Sequence, residues 1–440
     1  MFYLQRDLGG PTVFVATRLG GFAALSGHDV RSMVFRVLFF LLLFVFCRPF
    51  SGNAVDLGRS VQVHGFVSQG YLDSSSNNFL AGSRSGTLEF TDLALNVNWV
   101  PMEELRLGSQ VFYRNLGNYS EDKVILDWAV ADYRPWDELG ILLGKVKMPM
   151  GFYNEGRDSD FLQPMVLLPQ SIYDETRRDI YLAYVGGGLH GNIETGSIGD
   201  FDYHFFVGKT DFPGSSVLAE SAEQSVQSLI ERNSSLPVAN RNPDIPLVSH
   251  SSKRESDELY GGALVFNSSG SGLRLGASWL HSIMKTYVNH ASEAAGVNTI
   301  DGEFVFSAEY SLRNWLLAAE YGENDRKSTM YDNVTLDGPS QAWYVMVCYS
   351  PFDDWTFSAL YDEFYRLKHD KKGAAFPQAP SHAAWRKDFA LGLRWDLHPS
   401  LTAKAEFHWI DGTAMMLNMY NDEGPERFWN YFAAKLSWTF

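Results

Sequence analysis

Long apolar runs are missing from this chain of 440 residues: the longest uninterrupted one, Val37 to Cys47, has 11. A helix that crosses a bilayer needs roughly 20, so a polytopic helical membrane protein is excluded. Cysteine is almost absent, with 2 residues, and no disulfide framework staples a chain of this length. Basic charge is in the minority, 36 Lys and Arg against 52 Asp and Glu for a net of -16. That balance argues against a protein that grips nucleic acid through its bulk field. What the chain has in quantity is aromatic rings, 31 Phe, 21 Tyr and 12 Trp, at a hydrophobic share of only 45%. A large globular chain or a membrane barrel is left.

The first 54 residues read as an export address. Met33 opens a stretch with one basic residue, Arg36, then the apolar block, then Arg48-Pro49 and Gly52-Asn53-Ala54, with small residues three and one before a cut after Ala54. A secretory signal starting at Met33 is expected, with residues 1–32 an over-long start. Cys47 would leave with the signal, because Phe46 before it does not suit a lipid-anchored cysteine. Residues 55–440 then hold 31 basic and 50 acidic groups and a lone Cys348.

From Ser60 onward, segments with period-two alternation recur, bounded by Gly, Pro, Asn, Asp or Ser. Phe389, Leu391, Leu393, Trp395 and Leu397 share one face of an extended strand, opposite Ala390, Gly392, Arg394, Asp396 and His398. The next segment sets Leu401, Ala403, Ala405, Phe407 and Trp409 against Thr402, Lys404, Glu406 and His408. Sixteen such strands are expected, near 60–73, 87–100, 104–115, 122–135, 139–149, 179–195, 199–210, 258–268, 271–286, 301–311, 314–325, 340–351, 354–367, 384–398, 401–412 and 427–440, with no long amphipathic helix between them. Tight and long connections alternate, the longest being 150–178 and 211–257. In the latter, Val217, Leu218, Val226, Leu229 and Ile230 at roughly helical spacing suggest a short helix capping one mouth.

An even strand number with short turns at one end, long loops at the other and apolar-out, polar-in alternation describes an outer-membrane barrel. A soluble sandwich or propeller also alternates. Tryptophan separates the two. Trp99, Trp136, Trp315, Trp355 and Trp395 stand at the tight turns, and Trp343, Trp385, Trp409 and Trp429 at the opposite strand ends, which is two belts at two water-lipid boundaries. The last strand alternates Phe432, Ala434, Leu436, Trp438 and Phe440 outward and ends on the aromatic. Trp438 and Phe440 are the candidate signal for barrel-insertion machinery. The fold expected is all-β, a 16-stranded antiparallel transmembrane β-barrel of outer-membrane porin type.

Sixteen strands leave a water-filled channel rather than a packed core, so inward side chains govern passage. Leu139 to Asp179 is the informative segment, carrying Gly144-Lys145-Val146-Lys147-Met148-Pro149-Met150-Gly151 and then Glu155, Arg157, Asp158, Asp160, Arg177 and Arg178. If Leu142, Val146 and Met148 face lipid, Lys145 and Lys147 point into the lumen. Pro149 ends the ladder, and the mixed apolar and charged loop behind it is expected to fold inward.

The Gly-Lys-Val-Lys-Met-Pro-Met-Gly run resembles the corresponding stretch of the phosphate-selective porin family. The resemblance implies a 16-stranded outer-membrane porin, commonly a homotrimer, whose third loop narrows the channel and whose basic side chains attract anions. Lys145 and Lys147 match its motif. The loop itself departs from it, since Met150 to Asp179 has three basic residues against six acidic ones, and a phosphate filter wants uncompensated Arg and Lys. Pinning of the loop to the wall is the competing role for these charges.

Other pore-lining candidates by parity are Arg106, Arg114, Asp127, Arg274, Arg394, Lys404, Glu406 and Lys435. No catalytic constellation is legible. Gly186-Gly187-Gly188-Leu189-His190-Gly191 has a dinucleotide-type glycine spacing without a following helix, and Asp158-Ser159-Asp160 is a poor calcium loop. The dispersed histidines have no metal spacing. No metal, no cofactor, no nucleic acid and no enzymatic activity are expected. The expected function is a porin for passive diffusion of small hydrophilic solutes, anions among them, with outer-membrane lipid as its surroundings. The alternative is a plugged barrel acting as a surface receptor or adhesin.

Overall fold

The computed structural model describes residues 55–56, 60–120, 123–212, 217–249, 251–331, 333–421 and 423–440. The expected signal segment up to Ala54 lies outside the described residues. A two-residue strand β1 (Val55–Asp56) pairs with the start of β2 (Val61–Ser74). The sheet continues through β3 (Thr91–Met102), β4 (Leu105–Asn115), β5 (Val124–Trp136), β6 (Leu139–Lys147), β7 (Ala183–Glu194), β8 (Gly199–Thr210) and β9 (Ser252–Ser268). It is completed by β10 (Leu273–Val288), β11 (Gly296–Leu312), β12 (Trp315–Met330), β13 (Asn333–Phe352), β14 (Trp355–Tyr365), β15 (Trp385–His398), β16 (Leu401–Gly412) and β17 (Phe428–Thr439).

Each strand from β2 to β17 pairs antiparallel with its sequence neighbour, and β17 pairs back onto β2 with Lys435 opposite Gly70. Two 3.0 Å bonds between Gly65 and the terminal Phe440 complete the seam. The result is a closed barrel of sixteen strands, β2 to β17, each paired on both sides, which is what a sheet must become to satisfy its backbone in lipid.

Alternation decides which row faces out. In β15, Phe389 and Leu391 are 44% and 47% exposed while Asp388 and Ala390 are 1% and 0%. Lys404, Glu406 and His408 in β16, and Lys435 in β17, belong to the inner row and are buried. On the outside at the turn end, Trp315 stacks on Tyr349 at 4.4 Å and Trp355 on Trp395 at 4.9 Å. Trp409 stands exposed nearer the loop end. Trp429 does not join that belt. It faces inward at 4% exposure, with Phe79 and Tyr431 around it.

β6 corrects the parity expected from its sequence. Leu142, Val146 and Met148 are buried on the inside, against Met150, Tyr184 and Phe206, and it is Ile141 and Leu143 that are exposed. Both rows of this strand are apolar because one meets the exterior and the other meets the inward loop, so alternation carries no sign there.

Two further differences concern length. The segment after the 211–257 loop starts its strand at Ser252, earlier than expected, because both faces of that strand end are polar and hide the period of two. β13 also starts earlier, at Asn333, with the apolar Val334 and Leu336 at alternate positions. The helix in the longest loop is long rather than short, Val217–Ser235, burying Val217, Ala222, Val226 and Ile230 at helical spacing.

A charge placed in the middle of the exterior row costs roughly 2–4 kcal/mol in a lipid slab. Leu391→Arg is therefore expected to lower the free energy of folding into phospholipid vesicles by about that amount, measured by urea titration. An unchanged midpoint would show that this face does not meet acyl chains.

Candidate functional site

Residues 148–182 leave the loop end of β6 and enter the barrel. Met148 and Met150 pack with Ile172 and Tyr181 against the inner rows of β5 to β11. Met165, Leu168 and Tyr173 pack against Tyr344, Met346 and Leu360 on β13 and β14. Val166 and Leu167 meet Leu72, Phe79 and Trp429. Gly276 lets the loop approach the wall, since a Cβ there would lie 2.5 Å from the Phe152 ring, while Gly188 faces only wall atoms, so that the glycine run of β7 is a wall feature rather than a nucleotide loop.

Polar anchors run around the wall. The Phe152 amide donates to Glu320 at 2.8 Å, the Val166 amide to Glu406 at 2.7 Å and the Ser171 amide to Asp362 at 3.0 Å. Three wall carboxylates thus take up loop N–H groups that burial would otherwise leave unpaired. In the opposite sense, Lys404 donates to the Asp160 and Met165 carbonyls at 2.9 Å each. Arg394 donates to the Phe161 carbonyl at 2.7 Å and pairs with Asp396 at 2.8 Å.

Ion pairs complete the attachment. Asp160 lies 3.0 Å from Lys435 and 3.4 Å from Lys404. Arg178 reaches Asp158 at 2.8 Å and Asp127 at 3.0 Å. Glu175 joins Arg114 at 2.6 Å and Arg157 at 2.9 Å, and Arg114 and Lys435 both contact Asp92 at 2.7 Å. Asp158 and Asp160 are therefore held by different cations, which is a pinning arrangement and no calcium loop.

Around Glu406 the wall has its own relay. His408 lies 2.9 Å from Asp388 and 3.2 Å from Glu406, and Arg386 links Asp388 at 2.6 Å to Asp362 at 3.4 Å. The carboxylates that receive the loop at Leu167 and at Ser171 are in this way joined through one buried chain.

The remaining candidates fall elsewhere. Lys145 bonds the Leu126 carbonyl at 3.1 Å and Asp211 at 3.0 Å. It stands in the ladder opposite Val185, whose side chain is exposed on the exterior row, so the inward position expected for it from parity is not the one it takes. Lys147 bonds the Glu155 carbonyl and lies over the Trp128 ring at 5.9 Å. The Glu155 side chain is 57% exposed beside His204. Arg177 stacks on Tyr181 at 4.3 Å and lies 3.9 Å from Glu303. At the turn end Arg106 meets Asp132 at 3.4 Å and Arg274 meets Glu309 at 3.3 Å. Trp438 and Phe440 face outward, their rings 4.9 Å apart. The wall groups Asp92, Glu320, Asp362, Arg386 and Asp388 are not among the sequence candidates, although each lies on a row that alternation marks as inward.

No protein-family model matches the chain, and no curated protein matches it. Solved structures do. An anion-selective porin from Comamonas acidovorans is 10% identical, with 87% of this chain and 99% of that one covered at a TM-score of 0.52. OmpF of Salmonella typhi, in complex with daunomycin, is 12% identical over 86% and 97% at 0.51. OmpT of Vibrio cholerae is 13% identical over 88% and 100% at 0.50. The fold is that of the sixteen-stranded outer-membrane porin barrel. At such identities the likeness speaks for fold alone.

Two outcomes are expected for the loop anchors. Asp160→Asn leaves two buried lysines without their loop carboxylate, a loss of roughly 3–5 kcal/mol for a broken buried pair. Added protease should then cut within 150–178 while the barrel stays resistant, and full resistance would show that the pair does not hold the loop. Burial alone would raise the Glu175 carboxyl, yet Arg157 and Arg114 hold it down to about 2 against an ordinary 4.5. A lowered value means that its anchorage is complete above 4.5 and is lost as pH falls toward about 2. Pepsin cleavage of the loop is expected to rise across that window, and to be high throughout it in Glu175→Gln.

Proposed function

We propose that this protein is a passive channel of the bacterial outer membrane, with 148–182 as its constriction, and that it moves small hydrophilic solutes without catalysis. The observation that carries this reading is solvent exposure of inward charged groups at the turn end and within the loop. Arg106 and Arg274 are 46% and 41% exposed at the turn end, and Arg177 is 27% exposed within the loop itself. A sixteen-stranded circumference is wide enough for a bore, and an apolar exterior with ring belts suits a lipid slab. The anion preference implied by the Lys145 and Lys147 motif loses one of its two lysines to the exterior row.

A second reading is favoured by a different observation. At the level of the loop, inner-row residues are buried on opposite sides of the barrel, Tyr184, Asp362 and Ala433 at 0% and Glu320 at 3% among them. That degree of filling suits a stoppered barrel whose loops act as receptor or adhesin.

Single-channel recording in planar bilayers separates the two. The channel reading expects discrete conductance steps from the intact protein and larger ones after deletion of 155–175. Silence from the intact protein together with steps from the deletion would favour the stoppered barrel instead.

A further inference from the structure

Most inward cations at the level of the loop have a carboxylate in contact. Arg114, Arg157, Arg178, Arg386, Lys404 and Lys435 are each paired within 3.4 Å. The arginines that break this pattern lie on the loop-end side: Arg254 of β9, which among the described residues reaches only the Leu218 carbonyl at 3.5 Å, and two more. Arg326 continues the inner row of β12 beyond Glu320 and Asn324. Among the described residues no hydrogen bond or ion pair engages its guanidinium, which feels repulsion from Arg177 and Arg366 and attraction from Glu303. Arg366, just past the loop end of β14, has the Phe376 ring at 4.5 Å as its side-chain contact. Glu303 cannot balance them all, because it already accepts from Tyr181 at 2.6 Å and from Asn324 at 2.5 Å and pairs with Arg177.

The turn end has the opposite bias. Asp200 and Asp202 project from the inner row of β8 and are held only by neutral amides, those of Asn192 and Asn267, at 2.7–2.8 Å. Glu155 opens toward the same side, with His204 at 3.8 Å from its carboxylate and the Lys147 charge also acting on it. The cations here are committed to other acids, Arg106 to Asp132, Arg274 to Glu309 and Arg394 to Asp396.

We infer that the lumen is bipolar, with a positive station of Arg177, Arg326 and Arg366 on the loop side of the constriction and a negative one of Asp200, Asp202 and Glu155 on the turn side, and that it therefore rectifies ion current. This rests on the channel reading. A positive stretch admits anions and a negative stretch admits cations, because fixed charge concentrates its counter-ions in a narrow bore. When the turn-side chamber is positive, cations enter through the acidic stretch and anions through the basic one. Both accumulate where the stretches meet, and conductance rises. The opposite polarity drains both species from that junction, and conductance falls. The sign of the effect follows from which end holds which charge.

Single-channel current–voltage curves in KCl test this, with orientation assigned from the chamber in which protease trims the 211–257 loop. At about 10 mM salt, where the screening length is about 30 Å, current is expected to be roughly two-fold or more larger with the turn side positive. At about 1 M, where it is about 3 Å, the curve should be straight. Arg326→Gln with Arg366→Gln, and separately Asp200→Asn with Asp202→Asn, should each flatten the low-salt curve. A straight low-salt curve from the unaltered channel, or rectification of the opposite sign, overturns the bipolar lumen alone. Absence of any conductance overturns the channel reading and this inference with it.

Discussion

Asp160 sits between Lys404 and Lys435, with the Ser437 hydroxyl donating to it at 2.7 Å, and the interior of the barrel is organised from that contact. A loop drawn into a lumen must exchange water for wall groups at every polar atom it buries. The Asp160 cluster does so with two ammonium groups from adjacent strands whose side chains are 0% and 5% exposed. A buried pair of this kind is weak evidence for net stability, but removing one member is costly. It therefore acts as a specifier, fixing where the loop crosses and in which register the residues on either side of it meet the wall.

From that fixed point the remaining anchors follow the order of the chain. Val166 and Leu167 reach Glu406 on the same strand as Lys404, Ser171 reaches Asp362 two strands away, and Arg178 returns to Asp127 on the far side. The apolar residues between these polar stops fill the space, Met165 and Leu168 toward β13 and β14 and Met148 and Met150 toward β6 to β11. The wall's acids and bases are thereby spent mostly on the loop. The few charges left unspent then have a disproportionate share in the field that a permeating ion meets, because paired charges cancel beyond a few ångströms while single ones do not.

Particular residues show how far the sequence could be read. In β15 to β17 the alternation is strict, one row greasy and the other charged, and Lys404, Glu406 and Lys435 lie buried on the row that spacing marks as inward. The strand count and the closing aromatic at Phe440 were legible for the same reason. In β6 the reading failed at Leu142 and Val146, because an inner row that packs on a loop is as apolar as an outer row that meets lipid. Trp429 misled in a similar way, since a ring at a strand end serves an interface belt or an inner cluster equally well. The cross-lumen partners of Asp160 and Glu175 could not be paired from sequence. Those of Asp160 lie 244 and 275 residues away and those of Glu175 61 and 18, and any of several inward cations has the right charge.

Periodicity is a local property, set by the two-residue repeat of an extended chain and by which neighbours are polar, and so the sequence by itself determined a closed sheet of sixteen strands, its apolar exterior and its polar inner rows. Which inward charges meet, and which are left facing water, depends on where the long loop crosses a bore that no local pattern describes. Only the tertiary structure decided that Lys145 leaves the lumen, that Asp362 and Glu406 receive loop amides, and that Arg326 and Arg366 stand without an acid in contact. Charge pairing is a matter of distance in space, and distance across a barrel is unrelated to distance along the chain.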